Sequence, residues 1–216
     1  VIFIGNSIDV DNEEIFNKIF EIASRRESYV LNDALQYLAP LQAKTIPNAT
    51  EIEDELTGYT FALQKNQCVN NYIKSINEGR NIPVIFNHKA RYNNFRDIEI
   101  FSRLHQGDNS ANSKIADIMP YKRREKIFKD KYFKLESNKP CKTITAHMKY
   151  DCNMYIHPTQ ARGLTPREAA RIQSYPDDYF FRGSFTKTYM QVGNSVPPLL
   201  SEVIALALYE QLKGDV

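Results

Sequence analysis

Residues 162–176 read Arg-Gly-Leu-Thr-Pro-Arg-Glu-Ala-Ala-Arg-Ile-Gln-Ser-Tyr-Pro. Thr165, Pro166 and Glu168 make a helix start of the T-x-x-E type. The hydroxyl can accept from the third helical N–H, and the carboxylate can reach back to the cap N–H. Proline's missing N–H costs nothing in the first turn. Ala169, Ala170 and Ile172 give a small, close-packing face. Arg162, Arg167 and Arg171 are too many arginines for a plain buried helix. The stretch therefore reads as a tightly packed helix over 165–174. Its arginines and Glu168 have a structural role, bridging two pieces of the fold rather than touching substrate. Pro176-Asp177-Asp178-Tyr179 reads as a turn, and its aspartates are not an acid–base couple, because nothing apolar is placed to shift either pKa.

A second block, residues 191–198, reads Gln-Val-Gly-Asn-Ser-Val-Pro-Pro. Gly193 and Asn194 both tolerate unusual backbone geometry, so a turn is expected here. The last helix follows from about Pro197 to Lys213 and stops at Gly214. Small residues at a helix N-terminus can offer N–H groups and a hydroxyl to an anion, or can serve only as a cap.

Upstream, Ile15, Phe16, Ile19, Phe20 and Ala23 recur at helical spacing, with Glu13 and Glu14 in the first turn, predicting an amphipathic helix over 12–26. Residues 30–38 predict a short helix stopped by Pro40, and 45–58 an acidic loop. From 59 to 86 the pattern weakens, leaving Val84–Phe86 as a strand. Residues 95–105 read as helix. Thr143–Thr145 and Met154–Ile156 are β-prone. Val1–Gly5 reads as a buried strand. A chain that opens inside a core strand, with no initiator Met, is expected to lack the sheet that strand pairs with.

The chain has 216 residues, a net charge of +2 and three cysteines. That is enough for one large domain or two small ones. Cys68, Cys141 and Cys152 have no metal-ligand spacing and read as reduced thiols. No metal site is expected, since His147 and His157 lack a third ligand at zinc spacing. No apolar run resembles a membrane span. Charge is unevenly spread. Residues 8–58 carry 4 Lys/Arg against 11 Asp/Glu, while residues 113–142 carry 10 against 4. Such asymmetry suits one face turned to phosphates, though two solvated faces with no partner would look the same.

The two quoted blocks, in this order, resemble the last two conserved blocks of the DNA cytosine 5-methyltransferases. In that family the first organises the target-recognition domain against the catalytic domain, and the second contributes to the S-adenosylmethionine pocket. Asn194, Ser195 and Val196 stand at the matching cofactor-binding positions. Val1–Gly5 resembles the strand after the family's Gln-x-Arg-x-Arg block. Asn87-His88 with 96–107 resembles a piece of bacterial recognition domains. Residues 139–147 and 155–158 resemble the approach to the ninth block. The family's glycine-rich cofactor turn, Pro-Cys-Gln nucleophile loop, Glu-Asn-Val block and Gln-x-Arg-x-Arg block are not in this sequence. Pro140-Cys141 is followed by Lys-Thr and is a decoy, so no catalytic residue is assigned.

The resemblance implies an α/β chain: an α+β recognition domain joined to a fragment of a Rossmann-like methyltransferase domain. The expected parts are a terminal strand at 1–8, a target-recognition domain at 9–160, and helices at 161–216 that pack back on the catalytic domain. It implies a methyl transfer to cytosine C5 in a specific DNA sequence, with the cofactor S-adenosylmethionine bound only when the catalytic part is present. The expected partners are double-stranded DNA, that N-terminal catalytic segment or subunit, and a cognate restriction endonuclease, in a bacterial cytoplasm and without a membrane. Lys139, Lys142, Thr143, Thr145, His147 and Lys149 form a polar run suited to groove contacts, with Arg123 and Arg124 on the basic stretch. His157, before Pro158, reads as structural. A non-catalytic DNA-binding specificity module and a purely structural interaction domain are the competing readings.

Overall fold

The computed structural model describes residues 12–63, 69–120, 131–150 and 153–214. The strand expected at Val1–Gly5, together with Arg123, Arg124, Cys68 and Cys152, lies outside them. The chain forms two compact units, one of residues 29–195 and one that joins 12–28 to 196–214. The expected division at 160/161 falls inside the first.

In the larger unit the elements run α2 (Leu31–Leu35), β1 (Gly58–Leu63), α3 (Asn71–Ile76), β2 (Val84–Lys89), α4 (Phe95–Arg103), α5 (Pro166–Ile172) and α6 (Phe185–Asn194). Two 3-10 turns, Ser113–Ile115 and Ala146–Lys149, also lie among its described residues. The class is mixed α/β, with one small sheet. β1 and β2 pair antiparallel, with Tyr59 opposite His88 and Phe61 opposite Phe86. Gly58 opens β1 at φ 90°, where a Cβ would strike the His88 carbonyl. Only glycine fits both constraints.

Asparagines start two of the helices. Asn70 accepts from Ile73 N (2.8 Å) and Asn94 from Asp97 N (2.9 Å), each satisfying an N–H that the helix cannot. α2 is started differently. Leu31 N and Asn32 N donate to the carbonyls of Lys139 and Ser137, both at 2.9 Å. It also ends earlier than 38. Tyr37 adopts φ 65°, and the carbonyls of Ala34 and Gln36 are taken by the Arg171 guanidinium. The core of this unit gathers Leu31, Leu135, Ile144, Met148, Tyr155, Leu164, Ala169, Ala170, Tyr189 and Val192.

The smaller unit is a pair of helices, α1 (Asn12–Ser24) and α7 (Pro198–Gly214). Ile15 and Ile19 of α1 bury against Val203 and Ala207 of α7. Lys18–Glu210 and Arg26–Glu202, both 2.9 Å, flank that seam. By length and composition the stretch 185–213 passes for a membrane span, although Lys187, Asn194, Glu202 and Glu210 interrupt any continuous apolar run. It is two helices parted at Ser195–Pro197, and α7 spends one face on α1.

The β-prone stretch 143–145 joins no ladder among the described residues. It keeps the alternation, with Ile144 buried between exposed Thr143 and Thr145. Residue 156 makes isolated bridges to Lys134 and Gly163.

Candidate nucleic-acid interface and its arginine frame

α5 starts as its sequence demands. Thr165 Oγ1 accepts from Glu168 N (3.1 Å), and the Glu168 carboxylate accepts from Thr165 N (2.7 Å). Residues 166–171 are all buried. A guanidinium survives such burial only with its donors satisfied. Arg162 grips Glu168 with two bonds (2.8 and 2.6 Å) and also donates to the Leu41 and Gly163 carbonyls. Arg167 donates to the carbonyls of Phe86 (2.7 Å), Pro176 (2.9 Å) and Tyr179. Burial pulls its pKa down to about 10, so it stays charged at neutral pH. Arg171 grips Asp177 with two bonds (2.7 and 2.9 Å) and donates to Gln36 O (2.8 Å).

Sequence reasoning missed the carboxylate of this second pair. Asp177 is 1% exposed and is not a simple turn residue. Asn77 and Asp177 exchange bonds, Nδ2 to Oδ2 at 3.0 Å and backbone N to Oδ1 at 2.8 Å. Asn87 and the Phe181 backbone do the same, at 3.2 and 3.0 Å. Asp178 pairs instead with Arg80. No spacing rule links residues 77 and 177; only the aspartate's place after a helix hinted at a partner.

Two histidines line the frame. His88 Nε2 lies 2.8 Å from Ala39 O, and Nδ1 lies 3.1 Å from Thr165 Oγ1. A carbonyl can only accept, so the proton sits on Nε2, and the Thr165 hydroxyl donates to Nδ1. Burial drives its pKa down to about 4. His157 accepts at Nδ1 from the N–H groups of Thr159 and Gln160 (3.2 and 3.1 Å). Burial outweighs nearby Glu168 and lowers its pKa to about 4 as well. Both rings are neutral, buried and held in place.

The polar run lies on the surface of the same unit. Thr143, Thr145 and His147 are exposed, while Ile144 and Met148 between them anchor the segment in the core. Lys139 is exposed and paired with Glu136 at 2.8 Å. Lys142 Nζ sits 5.1 Å from the Phe133 ring and 5.8 Å from that of Tyr155. Lys149 Nζ lies 4.7 Å from the Tyr150 ring centre and 4.0 Å from Met190 Sδ. Tyr150, 67% exposed, joins this edge, and its ring centre is 5.4 Å from that of His147. Arg91 is the other residue missed. It donates to the carbonyls of Met148 and Tyr150, both at 3.0 Å, and stacks 5.5 Å over the Tyr189 ring.

The second block does not form the expected loop. Gly193 and Asn194 lie in the last turn of α6, and Ser195 is its C-cap. Gly193 serves close approach rather than an unusual φ: a Cβ there would fall inside van der Waals contact of Ala146 N and the Thr145 carbonyl. Asn194 and Val196 are exposed, and the Ser195 hydroxyl donates to Val192 O (2.7 Å). The start of α7 is a poor anion site. Pro197 and Pro198 have no N–H, and Leu200 N and Ser201 N donate to Pro197 O. Cys141 is half-buried and burial pushes its thiol up to about 12, far from thiolate chemistry at neutral pH.

The buried arginine frame and the exposed Thr/His/Lys edge thus lie in one compact unit, the edge fastened by Arg91 rather than by the frame. A model of the C-5 cytosine-specific DNA methylase family matches residues 1–210, and the chain belongs to that family. The type II methyltransferase M.Bpa9945I of Bacillus paralicheniformis is 39% identical over 134 residues, which is 59% of this chain and 30% of that protein. M.AquIB of Picosynechococcus sp. is 40% identical over 98 residues, 40% of this chain and 68% of that protein. A crystal structure described as a DNA modification methyltransferase encoded within an E. coli prophage shares the fold. Its TM-score is 0.57 at 23% identity, over 88% of this chain and 49% of that one. The chain spans about a third of the length of the longer relatives. Enzymes of the family take the methyl group from S-adenosylmethionine.

Proposed function

We propose that this chain is the C-terminal, target-recognition part of a DNA cytosine 5-methyltransferase. It reads a DNA sequence and completes the cofactor pocket, and it is inactive without the N-terminal catalytic part. The observation that carries this reading is the exposed edge Thr143–Tyr150, fixed in the unit that also carries Asn194 and Ser195. M.AquIB adds support, because a matched segment of this kind accounts for most of that polypeptide.

In this reading Thr143, Thr145 and His147 reach base edges, while Lys139, Lys142 and Lys149 position the duplex through phosphates. Arg123 and Arg124 add phosphate contacts. S-adenosylmethionine supplies the methyl group. The resemblance assigns the residues at 194–196 to one wall of its site, where Asn194 offers an exposed carboxamide able to donate and accept. Arg162, Arg167, Glu168 and Arg171 hold the architecture. The nucleophilic cysteine comes from the catalytic part, which binds this chain in the bacterial cytoplasm, with a restriction endonuclease of the same system as a further partner.

The test is transfer of tritiated methyl groups into cytosine-containing duplexes. The chain alone should transfer none, and mixing it with a polypeptide carrying the Pro-Cys-Gln loop should restore transfer. Incorporation by the chain alone that vanishes in Cys141→Ala would overturn this assignment.

A further inference from the structure

α6 does more than end in Asn194 and Ser195. The 3-10 turn Ala146–Lys149 lies against its side through three separate contacts. Gly193 gives the Thr145–Ala146 backbone room to touch the helix. Met190 meets the Lys149 ammonium at 4.0 Å. Tyr189, its hydroxyl tied to Leu164 O at 2.8 Å, carries the Arg91 guanidinium on its ring. From there Arg91 binds the carbonyls of Met148 and Tyr150, 3.0 Å each, clamping the far end of the turn. One end is located by backbone contact and the other by a planar two-bond clamp that lysine cannot reproduce.

We infer that Gly193 and Arg91 are positioning residues that set the DNA-reading edge on α6, the helix that ends at the cofactor wall. This rests on the recognition role proposed above. Any side chain at 193 forces the Thr145–Ala146 backbone back by about 1 Å to regain ordinary contact distance. That displaces Thr143, Thr145 and His147 relative to a base edge. Hydrogen bonds to bases tolerate little such error, so discrimination falls while phosphate attraction persists.

The experiment selects bound duplexes from a randomised pool with the 216-residue chain at low salt. Fluorescence anisotropy then gives the affinity ratio between the enriched and a scrambled duplex. A variant that is partly unfolded binds both duplexes more weakly by the same factor, so the ratio reports the reading edge and not stability. Gly193→Ala and Arg91→Lys should each lower the ratio about tenfold or more, the discrimination carried by one good base contact. Binding to the scrambled duplex should change little. A wild-type ratio in either variant removes that residue from the role. A wild-type chain that enriches no sequence overturns the recognition reading, and this inference with it.

Discussion

Replacing Arg171 with Met keeps most of the side chain's volume and removes its charge and donors. Asp177, 1% exposed, would keep only Asn77 Nδ2 at 3.0 Å and Arg167 Nη1 at 4.0 Å. Breaking a buried ion pair from one side costs about 3–5 kcal/mol, because the remaining charge stays desolvated. Gln36 O loses its donor too, adding about 1 kcal/mol. At about 2–4 °C per kcal/mol for a chain of this size, the melting midpoint should drop by roughly 10–20 °C. Asp177→Asn removes the complementary charge and costs less, about 2–3 kcal/mol, since an amide can still accept one bond from Arg171. The double variant leaves neither member of this pair as a buried charge without its partner, so it should be more stable than the summed single losses by about 2 kcal/mol or more. The assay is guanidinium chloride unfolding of all four proteins followed by far-ultraviolet circular dichroism. The chain has no tryptophan, so fluorescence would rest on its 13 tyrosines. Losses that add to within about 0.5 kcal/mol would refute the pairing as an energetic unit.

Acid should destabilise the frame in two stages. His88 and His157 have folded pKa values near 4, below the unfolded 6.5. Their contribution is therefore full above pH 6.5 and fades as pH falls to 4, roughly 3 kcal/mol for each ring. Burial alone would raise the Glu168 carboxyl, but the Arg162 guanidinium outweighs it and holds the pKa well below the usual range. Its share is full above the ordinary carboxylate pKa and is lost only at still lower pH. Melting midpoints measured from pH 8 to 3 should fall from about pH 6.5, and a flat profile between 6.5 and 4 would contradict both histidine assignments. Neutralising Arg123 and Arg124 should flatten the salt dependence of duplex binding by roughly one unit per lost phosphate contact, and an unchanged slope would remove them from the interface. In the assembled enzyme Asn194→Ala should weaken S-adenosylmethionine binding by about 1–3 kcal/mol with little effect on DNA binding. Calorimetry on the isolated chain should detect no cofactor binding, and tight binding there would mean a complete pocket within these residues.

Local rules were legible where the backbone satisfies itself. The Thr165–Glu168 box, the amphipathic spacing of α1 and the strand at 84–86 all follow from neighbours in sequence. β1 and α3 were not legible. Gly58–Leu63 is a strand because it pairs with Val84–Lys89 some twenty residues on, and α3 is six residues started by one asparagine. The Gly193 turn was misjudged for a related reason. Glycine is used both for positive φ and for close approach, and sequence cannot tell the two apart. Asp177 and Asn77 are a hundred residues apart, so their bond is a property of the fold alone. The polar run at 139–149 was readable as a run, but not the alternation that exposes Thr143, Thr145 and His147 while burying Ile144 and Met148.

The arginines of the frame find most of their partners among main-chain oxygens: those of residues 34, 36, 41, 86, 163, 176 and 179. Every amino acid carries that oxygen. The latch therefore asks the surrounding loops for a path in space and hardly at all for a composition. A loop could be rewritten side chain by side chain, and the surface it shows to solvent altered, without touching the bonds that fasten it. Among the described residues, only Glu168, Asp177 and Gln160, whose Oε1 accepts from Arg162 at 2.9 Å, serve these guanidinium groups through side chains and must keep their identity. Loop exchange between related chains should succeed when the grafted backbone returns its carbonyls to these guanidinium groups, whatever letters it is written in.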